Sequence, residues 1–201
     1  MLLLGLPLIA CWPAVAQADA SYGYGTGSSP VTATANLRLK VTVPKLIVLR
    51  VGGLVNTGGD ELAWTLKASI PTAAGPVIPV AGASPSAVPW DGTAPTMGID
   101  SPAGGVSTVQ VFAWTNASSA SLTCTYTAGT AGGPVASQFS VGISGTAPPP
   151  HPGATLAACS TVTLNSNTLY NGNWIYTLTA PTGGYTAGVY NSSVVYSATG
   201  V

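Results

Sequence analysis

Residues 31–43 alternate without a break. Val31, Ala33, Ala35, Leu37, Leu39, Val41 and Val43 are aliphatic, and between them stand Thr32, Thr34, Asn36, Arg38, Lys40 and Thr42. Side chains point to opposite faces along a strand, so this run has one wholly apolar face and one wholly wetted face. A helix would spread the same residues around its circumference. Pro30 and Pro44 bracket the run, and neither has an N–H to give to a ladder. At about 3.3 Å per residue the run reaches about 43 Å, longer than an average strand. Its apolar face needs cover, either from the chain's own core or from a neighbouring molecule.

The period of two recurs down the chain. Residues 45–51 are apolar nearly throughout and predict a strand deep in a sheet, ended by Gly52-Gly53. Residues 61–67 place Leu62, Trp64 and Leu66 on one face. Residues 106–115 and 120–127 predict two strands joined as a hairpin, 138–144 a short strand, and 188–198 the closing strand. Between 161–170 and 173–180 stands Asn171-Gly172, the preferred pair for a two-residue turn, which predicts a second hairpin. Residues 70–104, rich in Pro, Gly, Ala and Ser, read as loops and brief edge strands. Residues 146–153 (Thr-Ala-Pro-Pro-Pro-His-Pro-Gly) read as a stiff exposed loop. No segment has a convincing helical period. The fold class this predicts is all-β, an antiparallel immunoglobulin-like β-sandwich of about nine or ten strands.

The start of the chain bears on its compartment. Residues 1–20 read as a signal peptide, an apolar core followed by small residues at 14–16 and 18–20. The apolar run is shorter than the ~20 residues of a spanning helix, so no membrane insertion is expected after leader removal. Leu8-Ile9-Ala10-Cys11 also fits a lipoprotein processing box, which leaves lipidation of Cys11 as an alternative. Residues 21–30 form a flexible Gly/Ser tether, and 31–201 are expected to make one sandwich domain. The expected location is the periplasm, the cell surface or the extracellular space. Without the leader two cysteines are left, Cys124 and Cys159. An even pair in an exported chain predicts a disulfide between strands. No tryptophan lies between them, so the immunoglobulin Cys…Trp…Cys spacing is not met.

Charge removes several functions. Charged residues make up 5% of the chain, five basic and five acidic, against roughly 25% in ordinary soluble domains. There is no electrostatic footprint for nucleic acid or for an anionic membrane. Low charge gives little colloidal repulsion and suits self-association, although secreted Thr/Ser/Gly-rich β-proteins share it. His151 is the only histidine, so any nucleophile–histidine mechanism must use it. Lying between Pro150 and Pro152, it is expected to be an exposed loop residue. Asp91-Gly92-Thr93 reverses the aspartic-protease motif. Asp91 and Asp100 read as turn residues, with a shared calcium ion as the alternative. No catalytic residue, metal ligand or cofactor is expected. Trp64, Trp114 and Trp174 fall on strand positions beside aliphatics and read as core. Trp90, in Val88-Pro-Trp-Asp-Gly92, is the candidate ligand contact. Arg38, Lys40 and Lys45 are expected to guard a strand edge against aggregation.

The leader, the tether, the alternating strand, the single cysteine pair and a tyrosine-rich ending (Gly184-Tyr-Thr-Ala-Gly-Val-Tyr190, then Val194-Val-Tyr196) together resemble bacterial fimbrial, pilin-like subunits. The likeness is to the chaperone–usher class, including its spore-coat-protein-U-like branch. The cysteine pair departs from that pattern, since it joins the middle of the chain to the later part. The resemblance implies a secreted, non-enzymatic structural or adhesive protein. It also implies self-association into a polymer, with 31–43 donated as a strand to the next subunit, and a periplasmic chaperone and an outer-membrane usher as partners. The alternative is a monomeric secreted binding module for carbohydrate or protein, using Trp90.

Overall fold

Strict alternation produces strands whose buried and exposed faces can be read residue by residue. In Val106–Thr115, Val109, Val111, Ala113 and Thr115 are buried while the positions between them are exposed or half-buried. In Tyr170–Leu178, Gly172, Trp174, Tyr176 and Leu178 are buried in the same rhythm. The structure, a computed structural model, describes residues 19–54, 60–181 and 183–201. The chain falls into two compact units, Met1–Pro44 and Lys45–Val201. The predicted leader, with Cys11, lies almost wholly outside the described residues.

In the second unit, β1 (Ile47–Val51), β4 (Val106–Thr115), β8 (Tyr170–Leu178) and β6 (Phe139–Ala147) pair in that order into one antiparallel sheet. A second sheet runs β7 (Val162–Leu164), β5 (Ala120–Thr127), β9 (Ser193–Gly200), again antiparallel. β2 (Thr65–Ser69) and β3 (Thr96–Ser101) make a separate ribbon. Among the described residues the only helical pieces are three short 3-10 turns. The protein is all-β and antiparallel. Its layers are sandwich-like but do not reproduce the complete seven-strand immunoglobulin plan.

The core lies where inward faces meet. Val109, Val111 and Ala113 from β4, Trp174, Tyr176 and Leu178 from β8, and Phe139 and Val141 from β6 cluster with Ala120 and Leu122 from β5 and Leu164 from β7. Burying each large apolar side chain contributes about 1.5–3 kcal/mol. Trp64 joins from outside the sheets, edge-on to Phe139 at 5.5 Å between ring centroids, with its N–H donating to the Gly105 carbonyl. Thr115 is a fully buried polar side chain. Its hydroxyl donates to the Leu46 carbonyl at 3.0 Å and accepts from the Ala117 amide at 3.0 Å, which satisfies it.

Four sequence expectations are corrected. Asn171-Gly172 is no turn; it lies inside β8, which runs on without interruption. Gly172 is there for close approach. A Cβ on it would lie 2.6 Å from Pro148 and 2.7 Å from the Ser144 carbonyl. The chain reverses earlier, where Asn167 takes a positive φ of 54°. β4 and β5 do not pair as a hairpin but enter different sheets, so 116–119 forms an arch across the sandwich. Residues 47–51 are an edge strand rather than a central one, because among the described residues only β4 bonds to them. The proline-rich loop is not wholly exposed, since Pro149 and Pro152 are fully buried.

Residues 19–44 have their own local order. The Ser21 hydroxyl donates to the Thr34 carbonyl and accepts from the Thr34 amide at 2.7 Å, and Asn36 donates to the Asp19 carboxylate at 3.1 Å. The tether therefore doubles back along the start of the alternating run. Residues 31–43 carry no strand pairing, and all seven aliphatic side chains are exposed, Leu39 and Val41 at 84% each. Among the described residues no segment pairs with the predicted strand in a ladder.

Candidate functional site: the seam between the first and last strands

The two sheets of the second unit are covered unequally at their sides. On the β6 side, Thr155 bridges to Ser140, the Val141 amide donates to the Ala154 carbonyl at 2.9 Å, and buried Leu156 closes over the core. Phe139 and Val141 are buried as a result. The other side is bounded by β1 and β9. They meet at one end, where a Cβ on Gly200 would stand 3.9 Å from Ile47 Cδ1. Among the described residues β1 bonds only to β4 and β9 only to β5, so each presents an unpaired edge. The inward-facing Ile47, Leu49 and Val51 of β1, and Val194, Tyr196 and Ala198 of β9, are only half-buried, although all six pack on the core. The side of the sandwich is thus an apolar seam flanked by two rows of free backbone groups, the arrangement to which an added strand binds.

Cys124 and Cys159 form the predicted disulfide, with 5.4 Å between their Cα atoms. It does not join two strands. Cys124 lies on β5, and Cys159 follows the 3-10 turn Leu156–Ala158. The bond fastens the segment that covers the β6 side to the opposite sheet.

His151 is not an exposed loop residue. Its ring stands edge-on to Trp174 at 4.8 Å and to Tyr196 at 5.4 Å between centroids. Nδ1 faces the Gly153 carbonyl at 2.5 Å and Nε2 faces the Tyr196 hydroxyl at 2.8 Å, which lies 2.6 Å from the Tyr176 hydroxyl. The Gly153 amide also faces Nδ1, at 3.2 Å; the shorter contact to the carbonyl fits the tautomer in which Nδ1 donates to Gly153 and Nε2 accepts from Tyr196. Tyr196 in turn accepts from Tyr176. Burial lowers the His151 pKa, partly offset by the Gly153 carbonyl. Burial also pushes the Tyr176 hydroxyl up to about 12, partly offset by the hydrogen bond it shares with Tyr196, and raises Tyr196 further. Both ring nitrogens are engaged, neither by a nucleophile nor by a carboxylate, so the cluster is a neutral polar lock within the aromatic core.

Trp90 is 55% exposed, with its indole N–H donating to the Thr93 carbonyl at 2.6 Å. Asp91 accepts from the Thr93 amide at 2.8 Å, as a turn residue does, and Asp100 pairs with Lys67 at 2.9 Å. Trp174 is core and Trp64 packs against it. Trp114 is not core. It lies on the even face of β4 with Gln110 and Phe112, opposite the buried odd face. The parity of Val109, Val111 and Ala113 carried that signal, and the tryptophan's size obscured it. Among the described residues no helix is long and apolar enough to cross a membrane, and no cluster of His, Cys, Asp and Glu could hold a metal ion.

No family model, curated protein or solved structure matches this chain.

Proposed function

We propose that the chain is a secreted, non-enzymatic structural subunit that assembles with copies of itself by strand addition. The observation that carries the reading is the pairing of two complementary features. Residues 31–43 hold seven exposed aliphatic side chains on one face of an unpaired run, and the β1–β9 seam holds six half-buried apolar side chains between two free edges. Strand order supports it. Set against the immunoglobulin plan of A-B-E-D over C-F-G, β1-β4-β8-β6 take the first four places and β5-β9 the places of C and F. The place beside β9, where G would pair, is where 31–43 of a neighbouring copy fits. Main-chain hydrogen bonds supply affinity and the alternate aliphatics supply register. The disulfide is in keeping with an oxidising, exported setting. A periplasmic chaperone that covers the seam before assembly, and an usher that exchanges it, complete the proposal.

A test uses the position of charge along the run. Secreted wild-type protein is expected to form a ladder in unheated detergent gels that collapses on boiling. Leu37→Glu with Leu39→Glu removes the ladder, whereas Thr42→Glu on the polar face preserves it. A wild-type protein that elutes as a stable monomer by light scattering, with no ladder, overturns the proposal and favours the binding-module alternative, for which exposed Trp90 is the observation.

A further inference from the structure

Residues 19–25 run back along 31–36 in a fixed register. The Asn36 side-chain amide donates to the Asp19 carboxylate at 3.1 Å. The Ser21 hydroxyl accepts from the Thr34 amide at 2.7 Å and donates to the Thr34 carbonyl. Gly23 follows, so close to Thr32 that a Cβ on it would stand 2.9 Å from the carbonyl oxygen and 3.1 Å from the amide nitrogen. A Cβ on Gly25 would stand 2.9 Å from Val31 Cγ1. One arm advances by two residues as the other retreats by two, which is the course of an antiparallel pair. Main-chain groups of alternate residues in an extended chain serve the same edge, so the contacts at Thr32 and Thr34 lie along one edge of the run. There the Ser21 side chain holds both Thr34 groups that a ladder would use.

The other half of the run differs in three ways. Among the described residues no other segment forms a backbone hydrogen bond to 37–43. Its aliphatics are Leu37, Leu39, Val41 and Val43, against the smaller set Val31, Ala33 and Ala35. They also stand further into solvent, Leu37 at 76% and Leu39 at 84% against 56% for Val31. Its polar face carries Arg38 and Lys40, whereas Thr32, Thr34 and Asn36 are uncharged. Like charges oppose edge-to-edge pairing of two copies of 37–43. The uncharged half lacks that guard, and the 19–25 segment covers its edge instead. We infer that a second copy of the chain takes the run in two stages, residues 37–43 first and residues 31–36 only after the 19–25 clip lets go. The inference rests on the strand-addition reading and adds the order of engagement and the contact that controls it. Stabilisation follows the apolar area removed from water, so the larger side chains of 37–43 give the first stage its hold. The seam offers two edges, on β1 and β9, and 37–43 meets both without displacing a partner. Completing the ladder along 31–36 requires the Thr34 groups that Ser21 holds.

The experiment follows the full secreted chain by two readouts, light scattering in native buffer for the first stage and growth of the detergent-resistant ladder for the second. Ser21→Ala is expected to speed ladder growth about three- to tenfold, the factor set by one lost hydrogen-bonding group. Ser21→Thr keeps the hydroxyl and the wild-type rate. Ala33→Glu is expected to associate by light scattering yet form little ladder, whereas Leu39→Glu loses both. Amide exchange of the unassembled chain checks the clip by itself: the Thr34 amide is expected to exchange more slowly than that of Arg38 in wild type and as fast in Ser21→Ala. A Ser21→Ala ladder that grows no faster than wild type overturns the inference, as does an Ala33→Glu chain that associates as poorly as Leu39→Glu. Equal exchange of Thr34 and Arg38 in wild type overturns it even where a ladder forms, and leaves the strand-addition reading standing. A wild-type chain with a slow Thr34 amide and no ladder overturns that reading, and the inference with it.

Discussion

Gly172 follows an asparagine, and the pair has the composition of a tight turn, yet it lies buried inside β8 against Pro148 and the Ser144 carbonyl. Gly172→Ala must push the backbone of one neighbour aside. It is expected to destabilise the fold by about 1–3 kcal/mol, as overpacking does, measured as a lower urea midpoint. His151 has a different sensitivity. Burial holds its pKa below the usual value, so the native ring stays neutral while the unfolded chain takes up a proton as pH falls through about 6.5. Stability is therefore unaffected above that pH and declines below it until the native ring is protonated too. A proton on Nε2 also removes the acceptor that Tyr196 uses. The melting temperature is expected to fall between pH 7.5 and pH 5 by more in wild type than in His151→Gln.

At the scale of elements, the disulfide closes a loop with a sequence separation of 35 residues. On the chain-entropy model its loss destabilises by roughly 3–4 kcal/mol. Because Cys159 fastens the segment that covers Phe139 and Val141, reduction is expected to loosen the β6 side first. Hydrogen exchange with and without reductant checks this: amides of β6 and residues 154–160 should lose protection before those of β4. The elements also mark where reading by sequence succeeds. The strands at 106–115, 120–127 and 138–144 were legible, because alternation is a property of each segment alone. The partners of those strands were not. β4 and β5 are neighbours in sequence and strongly patterned, yet they lie in opposite sheets. A four-residue connection serves an arch as readily as a hairpin, and only the long-range pairing of β4 with β8 decides between them.

For the whole molecule, low charge and an apolar seam have a joint consequence. If association runs through aliphatic side chains and backbone hydrogen bonds, salt has little to screen. Raising ionic strength to about 1 M, where screening acts within about 3 Å, is expected to leave the detergent-gel ladder unchanged. An assembly held by surface ion pairs would weaken under the same conditions.

The sequence by itself determined the all-β class, the cysteine pair that bonds, and the parity of each strand, including the one-sided run at 31–43. These follow from local geometry, since a two-residue period dictates which side chains share a face. Parity even held the position of Trp114 beside Gln110 and Phe112. Tertiary structure alone decided that β1 and β9 flank an open side, that His151 is locked among aromatics, and that Gly172 serves close packing. Each of these depends on residues tens of positions apart meeting in space, and no local pattern encodes which distant segment arrives to cover a given face.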